Sequence, residues 1–201
     1  MAKHEAPKFV TVVSGLPRSG TSLMMQILAA GGLPVLTDQL RSADADNPRG
    51  YYEYEPVKQI AANAEWVAGA TGKAVKIIHL LLPNLPSGYA YRVLFMQRDI
   101  GEVLASQDVM LKRHGRAGAT LQASRLAQVF AAQLDRVRHW VAHQPNFVSL
   151  DVDYRMVIRD PGSQIARVSQ FLGGCLDEAQ AVAAVDPALY RQRSGDGSAG
   201  G

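Results

Sequence analysis

The chain has 201 residues and a mass of 21.7 kDa, enough for one domain with a continuous core. Hydrophobic residues at 47% and charged residues at 19% exclude a disordered chain, a collagenous repeat and a coiled coil. Net charge is 21 minus 18, or +3, too small for a nucleic-acid surface, although arginines suited to forked contacts with oxyanions outnumber lysines. The single Cys175 rules out an internal disulfide framework, so a reducing, cytoplasmic compartment is expected. The N-terminus lacks an apolar signal-peptide core. The most apolar run, 77–82, is far shorter than the ~20 residues of a membrane span, so neither feature is expected.

In chain order, FVTVVSG (9–15) predicts a buried strand and 21–30 a helix closed by Gly31 and Gly32. LPVL (33–36) predicts a short strand, 37–50 a polar loop, and 56–68 a helix with Pro56 in its first turn. Strands are predicted at 74–79, 91–96 and 147–152. Asp99 and Glu102 have capping-box spacing at the start of a helix. A longer helix is predicted over 119–143, with Leu126, Phe130, Leu134, Val137 and Val141 inward, and a last helix over 162–172. Residues 1–193 form one predicted domain and SGDGSAGG (194–201) a flexible tail. This alternation predicts a three-layer α/β/α fold with a mostly parallel sheet of four to five strands.

The strongest local signal is a strand, then GLPRSGTS (15–22), then a helix. Gly15 and Gly20 bracket four residues, as in loops whose curled backbone aims several N–H groups at one phosphate. The following helix adds its positive end. Ser19, Thr21 and Ser22 supply hydroxyls and Arg18 a fixed cation, while a bare helix cap at a tight turn is the alternative. Nucleotide triphosphatases carry Lys where this chain has Thr21, so the usual contact to a γ-phosphate is missing.

VSGLPRSGTSL resembles the 5′-phosphosulfate loop of sulfotransferases that use 3′-phosphoadenosine-5′-phosphosulfate (PAPS), including the Pro, the basic residue and the paired hydroxyls. MQRDIGEVLASQ (96–107) resembles that family's 3′-phosphate segment, with Arg98 at a strand end and Ser106 eight residues on. VDYRMVIRDPGSQIARVSQFLG (152–173) resembles its Y-E-D segment, but Arg155 and Met156 stand where the acids usually do. The resemblance implies a P-loop-like fold and a metal-free, in-line transfer of a sulfuryl group from PAPS to a hydroxyl or amine of a small-molecule or saccharide acceptor. Pro17, Arg18, Ser19, Gly20, Thr21 and Ser22 would bind the donor with Arg98 and Ser106. Tyr154 would lie near the adenine, and Arg18 would stabilise charge on the leaving oxygen. The family's C-terminal basic glycine segment is missing, and Arg191 or Arg193 is a weak substitute.

Two residues are candidate bases for a hydroxyl acceptor. Glu53, among Tyr51, Tyr52 and Tyr54, matches a Glu used by several sulfotransferase branches. VKIIHLLLPNLP (75–86) resembles the cytosolic branch's K-[ST]-H-L-P through Lys76 and His79, with one residue too many between them. A His in an apolar run is also a common core residue. Two other readings stay open: a small-molecule kinase, with Asp151 ending a Walker-B-like strand, and a nucleotide-binding module without chemistry. The short chain implies an open acceptor site, or one completed by a second subunit in a homodimer.

Overall fold

The computed structural model describes residues 8–38, 40, 50–113 and 122–186. The predicted tail, Arg191, Arg193, most of the 37–50 loop and the predicted helix start at 119 lie outside the described residues.

Four parallel strands form one sheet: β1 (Val10–Gly15), β2 (Ala74–Lys76), β3 (Tyr91–Gln97) and β4 (Phe147–Asp153). Their order is β2-β1-β3-β4. β1 is buried at all six positions, because helices and turns cover both faces of the sheet. Alternation along the strands sorts side chains into two cores. Val13, Leu94, Met96 and Val152 face α1 (Thr21–Ala30), α4 (Tyr154–Arg159), α5 (Pro161–Phe171) and α6 (Glu178–Ala183). Val12, Val75, Val93 and Phe95 face the other way, toward α3 (Ala123–Ala142) and the short turns at 55–59 and 65–69. The result is the expected three-layer α/β/α arrangement.

Register positions the site. Gly15 pairs with Met96, and Gln97 with Asp153, so three strands end level. The segments that follow them (16–20, Arg98 with α2 at Ile100–Arg113, and Tyr154) therefore emerge side by side. The chain passes from β1 to one neighbour and then to the other, so this is the switch point where open α/β sheets bind ligands.

Several predicted elements differ. The helix over 56–68 is two short 3-10 turns, because Asn63 interrupts it: its side-chain oxygen accepts the Glu65 N–H at 2.9 Å, starting a new turn. The strand at 33–36 reduces to one bridge between Val35 and Ala74. The strand at 74–79 stops at Lys76, and a 3-10 turn begins at His79. In α3 only Val137 and Val141 of the inward set are fully buried. The helix predicted as the last is followed by α6, whose Ala181 packs into the first core.

Candidate active site

The loop after β1 owes its shape to close backbone approach. A side chain at Gly15 would meet the Ser19 hydroxyl at 2.6 Å and the Met96 carbonyl at 2.8 Å. At Gly20, with φ of +99°, it would run into the Tyr154 ring. Arg18 is left-handed at φ 71°, and its carbonyl accepts from Arg98 Nη1 at 3.1 Å. The first turn of α1 has no side-chain cap and no acidic residue, which leaves its leading N–H groups unpaired within the helix. The Ser19 hydroxyl is buried without a partner. Together these orphaned donors fit an anion at the helix end.

The second and third segments meet the loop directly. Arg18 Nε donates to Ser106 Oγ at 3.0 Å, so the expected phosphate pair is divided: Ser106 holds Arg18, and Arg98 holds the Arg18 backbone. Arg98 Nε also pairs with Glu102 at 3.0 Å, and Arg155 Nη2 reaches the other oxygen of that carboxylate at 3.1 Å. The Glu102 side chain is only 4% exposed, which two guanidinium partners make tolerable. The Glu102 N–H bonds Asp99 Oδ1 at 3.0 Å, as the capping-box spacing predicts. The capping box does not reveal its place between two arginines; the i, i+4 spacing from Arg98 is the available signal. The Tyr154 ring is buried, with the Arg98 guanidinium 4.6 Å from its centroid.

A cavity of about 460 Å³ opens on the loop and brings Pro17, Arg18, Thr21 and Ser22 together with Tyr51, Glu53 and Lys76. Lys76 Nζ donates to the Tyr51 carbonyl, lies 3.4 Å from Ser22 Oγ and is 3.9 Å from Glu53 Oε1. Glu53 follows Tyr52, which is left-handed at φ 52°. Asp38 fixes this turn from both sides. Its N–H donates to the Glu53 carbonyl at 3.1 Å, and its carboxylate accepts the Glu55 N–H at 2.5 Å and the Leu40 N–H at 3.1 Å. The Glu55 and Leu40 amides hold the Asp38 carboxyl below the usual 3.8.

His79 does not line this cavity. It is 2% exposed beneath the loop, with Nδ1 3.2 Å from the Gly15 carbonyl and Nε2 3.2 Å from Gln133. Both facing atoms are oxygens that only accept, so the ring N–H donates to the Gly15 carbonyl or to Gln133 Oε1 according to the tautomer. With the extra residue between Lys76 and His79, Ile77 and Ile78 rather than His79 line the cavity beside Lys76. Asp151 sits on the edge strand β4, paired with Arg138 at 3.2 Å.

The sulfotransferase domain family matches residues 10–195. The chain belongs to that family. This sulfotransferase resembles a solved sulfotransferase of Mycobacterium tuberculosis H37Rv at 20% identity. The alignment covers 89% of this chain and 71% of that one, with a TM-score of 0.58. It also resembles the sulfotransferase domain of the Synechococcus PCC 7002 olefin synthase at 15% identity, over 94% and 88% of the two chains, with a TM-score of 0.50. Both likenesses concern the fold. No curated protein sequence matches the chain. None of the sulfotransferase's described helices is long and apolar enough to cross a membrane.

Proposed function

We propose that this sulfotransferase uses PAPS as donor and transfers its sulfuryl group in line to a hydroxyl of a small acceptor, releasing adenosine 3′,5′-bisphosphate. One observation carries the reading: the uncapped start of α1, the Arg18 side chain and the Glu53 carboxylate all border one cavity. The loop amides, with the hydroxyls of Ser19, Thr21 and Ser22, hold the 5′-phosphate. Pro17, Gly20 and the Gly15 turn keep that backbone close enough to do so.

Arg98 and Ser106 serve the 3′-phosphate after exchanging part of their present bonds for it, and Tyr154 seats Arg98 and packs on Gly20. A sulfuryl group carries less charge than a γ-phosphoryl group, so fixed cations suffice at the transfer step. As the acceptor oxygen bonds sulfur, the bond from sulfur to the bridging oxygen breaks and its electron pair leaves with the bisphosphate. Arg18 stabilises that developing charge. The acceptor proton passes to Glu53, held by Asp38 and Tyr52 and accompanied by Lys76. His79, buried between the Gly15 carbonyl and Gln133 and outside the cavity, packs beneath the loop and takes no part in the proton transfer.

Replacing Glu53 with Gln tests the assignment. Transfer of labelled sulfate from PAPS to a panel of alcohols, phenols, amines and saccharides is expected to fall about 10²–10⁴-fold, with bisphosphate affinity unchanged. Turnover equal to that of the wild type removes Glu53 as the base.

A further inference from the structure

We infer that the acceptor is a hydrophobic alcohol, an alkyl or aryl hydroxyl, and not a sugar. The inference rests on the donor reading above and concerns the remainder of the same cavity. Its charged and hydroxyl groups cluster around the loop, where Lys76 lies 3.4 Å from Ser22 Oγ and 3.9 Å from Glu53. Among the described residues that line it from outside the loop, Ile77, Ile78, Met110 and Leu111 are apolar, and Tyr51 and Gln107 add a phenol ring and an amide.

Two features make this lining a recognition surface. Ile78 stays 43% exposed, and it occupies the cavity position that the extra residue takes from His79. On α2, Gln107, Met110 and Leu111 recur at i, i+3 and i+4, so one helical face turns two apolar side chains toward the site. A sugar presents a hydroxyl on nearly every carbon, and each one stripped of water without a partner opposes binding. Among the described lining residues, the Gln107 amide and the Tyr51 hydroxyl are the side-chain partners beyond the groups engaged in donor binding and transfer. An alkyl or aryl body needs none, and the flexible Met110 adapts to its shape. The volume, about 460 Å³, falls within the usual range for a small-molecule site, about 300–1,000 Å³.

The test compares labelled-sulfate transfer to straight-chain alcohols from butan-1-ol to octan-1-ol, to 2-naphthol, and to glucose and trehalose. Bisphosphate binding is measured in parallel by calorimetry. Acceptor kcat/KM is expected to rise about fourfold per added methylene, with the sugars inactive. Ile78→Asn combined with Leu111→Gln is expected to lower kcat/KM for octan-1-ol about tenfold or more and to leave bisphosphate affinity unchanged. If bisphosphate binds but sugars are the better acceptors, or if chain length has no effect, the acceptor inference is overturned and the donor reading stands. Absence of bisphosphate binding overturns both.

Discussion

Gly20 illustrates how little freedom the loop has. Its φ of +99° and the Tyr154 ring packed against its Cα leave no room for a side chain. Gly20→Ala is therefore expected to destabilise the protein by about 1–3 kcal/mol, read as a lowered thermal midpoint, and to weaken bisphosphate binding. An unchanged midpoint contradicts the packing described. The glycine spacing, the Pro and the paired hydroxyls are legible in the sequence because a strand–turn–helix cradle depends on local backbone geometry. His79 is harder to read. One additional residue decides whether a side chain points into the cavity or beneath it, and here it places Ile78 in the cavity. The position of Glu102 between Arg98 and Arg155 is not legible either, since the Arg155 contact joins positions 53 residues apart.

At the scale of elements, two junctions support the proposed chemistry. Where β3 meets α2, Glu102 ties Arg98 to Arg155 while Arg98 grips the Arg18 carbonyl. Glu102→Ala leaves the buried Arg98 without this carboxylate and is expected to cost about 3–5 kcal/mol in chemical denaturation. Glu102→Gln keeps the shape and is expected to fold, but with weakened bisphosphate affinity. Full affinity in a folded Gln variant contradicts a link from Glu102 to the loop.

The second junction is the Asp38 turn. Because its carboxyl titrates below the ordinary 3.8, its contribution to order is present above that value and fades as pH falls through the lowered one. Asp38→Ala is expected to lower kcat while leaving bisphosphate affinity intact, with faster amide exchange at Glu55. Unaltered kcat together with unaltered exchange counts against the turn's role. The turn escapes the sequence pattern because it joins Asp38 to Glu55, 17 residues on, through backbone amides that leave no local signature.

Across the whole molecule, the parallel register matters most. Pairing Gly15 with Met96 and Gln97 with Asp153 brings the ends of three distant strands to one edge, and the arginines that follow two of them meet at the loop. The strands themselves are legible from apolar runs, but the order β2-β1-β3-β4 arises from long-range pairing that leaves no local pattern. The net charge is a modest +3, and this arrangement gathers Arg18 and Arg98 where the proposed donor would bind. The central claim is that the edge binds a bisphosphorylated adenosine carrying a sulfuryl group. Calorimetric titration of the full chain with adenosine 3′,5′-bisphosphate, and separately with ATP–Mg²⁺, tests it most directly. The account predicts one bisphosphate bound per chain without added divalent metal and no comparable binding of ATP–Mg²⁺; tight, metal-dependent ATP binding with no response to the bisphosphate would contradict it.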